Sequence, residues 1–126
     1  MSIANQLEAE IMGQVFGNTS FALNTSFFAQ LHIGDPGETA TANPLQNCEL
    51  KAVVWNAATS TVNNATTITW TCSATGTITH LSLHDTSVTA VATNGLWSGA
   101  LTASKVVANV NDQVQLASAA LVVTLT

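Results

Sequence analysis

The side chains able to do chemistry fall in two stretches, His32 with Asp35 and then His80, His84 and Asp85. Histidine and carboxylate together are the common ingredients of a metal site or an acid–base pair. Spacing argues against both. On a strand His80 and His84 share a face but stand four rises apart, roughly 13 Å, whereas the ligands of one ion each sit about 2 Å from it. On a helix they would be neighbours, but Thr77, Ile78 and Thr79 ahead of them favour a strand, and no glutamate completes an HExxH motif. A metal-dependent hydrolase around His80 and His84 is therefore the weakest of the readings. Hydroxyl side chains abound without a GxSxG elbow, and the glycines are scattered at strand ends rather than gathered into a phosphate cradle. The expectation is a protein that is not an enzyme and that holds no cofactor and no metal.

Cys48 and Cys72 have neither CxxC spacing nor a second pair, so zinc is not supported. The N-terminus lacks the basic and apolar regions of a secretory signal, and on that ground the two cysteines read as buried free thiols rather than a disulfide. The same absence discounts the sequons at Asn18, Asn24 and Asn64. Of the three tryptophans, Trp70 alternates with Ile68 and Cys72 and reads as core. Trp55 and Trp97 sit near strand ends and are the candidate platform for a sugar ring. The Thr67, Thr69, Thr71 and Thr77, Thr79 spacing does not recur at a fixed period, so it reads as a solvated sheet face.

The elements that must position these residues are legible from period. Ile3, Leu7, Ile11 and Val15 recur at i, i+4 behind a capping Ser2, and Gly17 stands where a helix ends. Met12 and Phe16 widen the stripe. Such a helix packs on its own sheet or on a neighbouring subunit, and spacing leaves both open. After Gly17 the period changes to two. Strands are expected near 27–33, 50–55, 67–73, 77–84, 96–101, 105–110, 113–117 and 120–125. Asp35-Pro36-Gly37-Glu38, Asn94-Gly95 and Asn111-Asp112 supply turns. The reading is all-β: an antiparallel β-sandwich or jelly roll of seven to eight strands over residues 18–126, with one N-terminal amphipathic helix over 1–17, forming one folding unit.

At 126 residues the chain has room for one core. Charged residues are only 7%, against roughly a quarter in a typical domain. Two lysines and no arginine against seven acids give a net charge of -5, which repels a phosphate backbone and excludes nucleic acid. No apolar run of membrane-spanning length occurs, so no membrane is expected. Thr, Ser and Asn carry the polarity in place of ions. A lone small domain keeps charge on its surface for solubility, so one this poor in charge is expected to cover that surface with copies of itself or with a partner. The residues expected to make that contact are Ile3, Leu7, Ile11, Val15 and Phe16, with Trp97 as an outer anchor, in a homo-oligomer expected to be a trimer.

Phe28-Ala29-Gln30-Leu31-His32-Ile33-Gly34-Asp35-Pro36-Gly37 resembles the strand and "LHtGDPG" corner of small tailed-bacteriophage virion proteins of the tail-fibre, neck-fibre or minor structural kind. The likeness extends along the helix to Gly17, through Ala52–Trp55 and Ile68-Thr69-Trp70, and along Gly76-Thr77-Ile78-Thr79-His80 to Asp85. It ends in Gly99-Ala100-Leu101-Thr102 and Leu121–Leu125. Two places depart from it: Leu45–Leu50 stands where the family carries a Gly-rich corner and an aromatic-basic step, and Asn111-Asp112 stands where it carries a Gly-Asp turn, which Asn can adopt because it tolerates positive φ. The resemblance implies a virion structural role without catalysis. It implies capsid, neck or tail proteins of a phage as partners, synthesis in the host cytoplasm and residence in the virion. The alternative is a receptor- or glycan-binding fibre module using Trp55 or Trp97.

Overall fold

The computed structural model describes residues 2–17, 26–85 and 95–124. The chain runs β1 (Ser2–Ile3), α1 (Asn5–Phe16), β2 (Phe27–His32), β3 (Lys51–Val53), β4 (Thr61–Asn63), β5 (Ile68–Thr71), β6 (Gly76–His84), β7 (Gly95–Val107), β8 (Gln113–Leu116) and β9 (Val122–Thr124). Five strands form one antiparallel sheet in the order β1-β7-β6-β2-β3, while β5 pairs with β8 and β4 with β9 as two-stranded ribbons. The expected all-β architecture with one helix is what forms, a sandwich-like packing of ribbons on the main sheet.

Period two explains which face is which. Ala29 lies opposite Leu83, Leu31 opposite Leu81, and Leu83 opposite Trp97, so these share one face of the sheet. That face carries the core, closed from the far side by Ile68, Trp70, Val114 and Val123 of the ribbons. Trp70 is buried, as its alternation with Ile68 predicts. The other face carries Gln30, His32, Ser82 and Ser98, and it is covered too. Ala4, Leu7, Ala40 and Leu96 form buried apolar positions outside the main cluster. The Ala4 amide donates to the Leu96 carbonyl and the Asn5 amide to Glu38, which pins the start of α1 between β7 and the loop after β2. Gly95 permits the closeness of that loop: a Cβ there would stand 2.5 Å from the Thr39 carbonyl oxygen. Gly37 takes a positive φ of 70°, as the Pro-Gly corner requires, and its amide donates to the Asp35 carboxylate.

Several expectations are corrected. Ser2 does not cap the helix. Ser2–Ile3 pairs with Ser98 and Trp97 as β1, and the N-cap is Ala4, with no side-chain hydrogen bond. Gly17 ends the helix in right-handed geometry, its amide bonded to Gly13, so left-handed freedom is not what it supplies. The strands expected at 96–101 and 105–110 are the halves of β7. Ile78 pairs with Lys105 and His80 with Ala100, so residues 101–104 lie opposite Thr79 alone as a wide bulge, and the strand stops at Val107. β4 has no signal in its Thr-Val-Asn sequence and forms by pairing with β9. Asn111 has φ 70°, so the late turn survives without glycine. The turn expected at Asn94, the sequons at Asn18 and Asn24, and Leu125 lie outside the described residues.

Cys48 and Cys72 are bonded, contrary to the free-thiol expectation. That expectation rested on cellular compartment, which carries no distance information. The Ser73 amide donates to the Asn47 carbonyl, holding the loop before β3 against the end of β5, and the two Cα atoms are 4.5 Å apart.

Candidate functional site

The second face of the main sheet brings His32, Ser82 and His84 into one hydrogen-bonded chain, and all three are fully buried. The position of each follows from register. Ser82 and His84 are i, i+2 on β6 and therefore share a face, and Gln30 opposite Ser82 places His32 beside them. His32 Nδ1 is 2.7 Å from the Ala42 carbonyl, His32 Nε2 is 2.6 Å from Ser82 Oγ, and Ser82 Oγ is 2.7 Å from His84 Nε2. A carbonyl only accepts, so His32 Nδ1 carries a proton and donates to Ala42. With neutral His32, Nε2 then accepts from the Ser82 hydroxyl, whose oxygen in turn accepts from His84 Nε2–H. Burial holds His32 down to a pKa of about 4; the bond to Ala42 opposes that, while His84 and His80 add to it through charge repulsion.

A hydroxyl bonded to an imidazole whose far nitrogen is held by a carbonyl has the outline of a nucleophile and its base. No substrate can reach it. The three side chains have no solvent exposure, and none of them lines the cleft described below. What the chain can do is fasten Ala42, and with it the loop 35–45, onto the sheet. Ile33 and Leu45 complete the fastening through backbone bonds to Asn43 and Leu31.

Of the five residues singled out from sequence, the structure places the three histidines on one face of the main sheet. His80 faces His32 across β2 and β6 and bonds Thr79, Asp35 serves its own turn, and among the described residues no three His, Cys, Asp or Glu side chains converge as metal ligands. Sequence reasoning tested His80 against His84 and missed Ser82. The i, i+2 spacing of Ser82 and His84 was a usable signal, but the pairing with His32 needed the strand register.

The expected interface residues divide. Leu7 is buried beneath its own helix, where the pinning of Ala4 and Asn5 holds it. Ile3 is half-buried in β1. Ile11, Met12, Val15 and Phe16 are exposed, Val15 at 63% and Phe16 at 77%. Trp97 lies opposite Leu83, half-buried and packed in part on the core. Trp55 is half-buried as well, packs partly on the core and meets Phe27 edge to face at 6.1 Å. Asn64 is no sequon either: it is fully buried, its amide donating to the Thr66 and Ala117 carbonyls while its carbonyl accepts from Leu121.

A cleft of about 560 Å³ opens between β7 and the turn joining β8 to β9. Leu31, Trp70, Ile78 and Leu81 form its floor, the bulge of β7 one wall, and Leu116, Leu121 and Val122 the other. Lys105 is the one charged residue lining it among the described residues. No helix among the described residues is long and apolar enough to cross a membrane.

No curated protein matches the chain. The model of one family does, over residues 2–124, and on that match the chain belongs to the podophage GP4 fiber I protein gp80 family, a structural family of the tailed-phage fibre type and a virion component.

Proposed function

We propose that this chain is a non-enzymatic structural subunit of a tailed-phage virion that works by associating with itself, as a trimer, and by docking on other capsid, neck or tail proteins. The observation that carries the reading is the uncovered end of α1. A protein with two cations in 126 residues leaves Ile11, Met12, Val15 and Phe16 side by side in water, at i, i+1, i+4 and i+5. Four large apolar side chains on one helical turn and a half form a contiguous patch of the kind that marks a contact surface. Covering it is favourable at about 25 cal/mol per Å², offset by the cost of immobilising the partners.

The reading is tested by sedimentation equilibrium at micromolar concentration, with imaging of particles with and without the subunit. An assembly of three times the 13.0 kDa chain mass is expected, together with loss of density at one place on the particle. A monodisperse monomer, or particles whose density is unchanged when the protein is missing, would overturn it.

A further inference from the structure

Building on the self-association just proposed, we infer that the contact is heterologous: the exposed end of α1 from one copy seats in the cleft between β7 and the β8–β9 turn of the next. One chain carries both halves of such a joint. The projecting half is Ile11, Met12, Val15 and Phe16, whose i, i+4 pairs present two anchors each to a groove. The receiving half is the 560 Å³ cleft, within the ~300–1,000 Å³ range of pockets that enclose a small ligand, its mouth rimmed by Leu101, Leu116 and Val122 above a base of buried apolar side chains. Its own helix does not fill it, because the start of α1 is held by Leu96 and Glu38 and the apolar end stays in solvent.

Charge selects this joint over a helix-to-helix contact. α1 carries Glu8 and Glu10 and no cation, so pairing two copies of it sets acid against acid. The cleft offers Lys105; the protein's other lysine, Lys51, is already paired with Glu49. A helix-to-helix pair would also leave the cleft empty. Head-to-tail joints close into rings when the rotation between copies permits, which is how a trimer forms from a single contact type.

The test is complementation between two variants of the full chain. Val15→Ser with Phe16→Ser removes the projection; Ala120→Trp fills the cleft from the β8–β9 turn, and Ala103→Trp does so from the exposed bulge of β7. Thermal unfolding confirms that each variant is folded, and the second cleft variant serves if the first is not. Each is expected to weaken association by roughly tenfold or more, the cost of removing a buried anchor. An equimolar mixture of a helix variant and a cleft variant is expected to form a one-to-one dimer and nothing larger, since one intact helix and one intact cleft remain. Lys105→Glu is expected to weaken wild-type association by a factor of about two to five at low salt. Cleft variants that assemble like wild type, or a mixture that stays monomeric, overturn the inference and leave self-association standing. A monomeric wild type overturns the self-association reading itself.

Discussion

Acid should loosen this fold through His32, and the size of the effect follows from its surroundings. In the folded protein burial lowers the His32 pKa from 6.5 to about 4. The unfolded chain therefore binds a proton between pH 6.5 and pH 4 that the folded one refuses. The contribution is fully present above pH 6.5, fades as pH falls through the window, and changes no further below pH 4. With ~1.36 kcal/mol per pH unit as the limiting slope, lowering the pH from 7 to 4.5 removes about 2.4 kcal/mol. The perturbation is paired with His32→Gln, which does not titrate. Urea unfolding followed by tryptophan fluorescence at pH 7, 6, 5 and 4.5 gives the stability of both proteins. Wild type minus variant isolates His32, because the other groups titrate in both. That difference should shrink by about 2.4 kcal/mol over the series. At pH 7 the variant is already weakened by loss of the bonds to Ala42 and Ser82, so the informative quantity is the slope. A difference that stays flat from pH 7 to 4.5 would show that His32 is hydrated or charged in the folded state, and the buried-clamp account of Ala42 would fail with it.

Reduction of Cys48–Cys72, which closes a loop of 24 residues' separation, should cost about 3.5 kcal/mol by loop-closure entropy, read as a lower thermal midpoint in reductant by calorimetry; an unchanged midpoint contradicts it. Gly95→Ala should cost about 1–3 kcal/mol, since the added methyl meets the Thr39 carbonyl at 2.5 Å, and hydrogen exchange should show the loss of protection at the start of β7 and α1. Asn64→Ala leaves Thr66, Ala117 and Leu121 without their bonds and should destabilise by about 3 kcal/mol or more in urea unfolding. Ala119 has φ 63° on an exposed turn, so Ala119→Gly should raise stability by about 1 kcal/mol; a fall would mean that the turn is not left-handed in solution.

Much of this protein is written in local pattern. The alternation of Ile68 with Trp70 placed the tryptophan in the core, the Pro36-Gly37 corner forms where its residues demand it, and Leu7, Ile11 and Val15 marked a helix, because period and turn chemistry are properties of neighbouring residues. The shortage of charge likewise needed only counting. Pairing over distance decided the rest. His32 and Ser82 are fifty residues apart and meet through strand register, Cys48 and Cys72 meet because two loops abut, and β4 exists only opposite β9. Which part of the helix stripe is buried could not be read from its spacing, because Leu7 and Phe16 are equally apolar. The anchoring of Ala4 to Leu96 buries the first and leaves the second in water, since burial is set by where a chain is held and period sets only which side chains share a face.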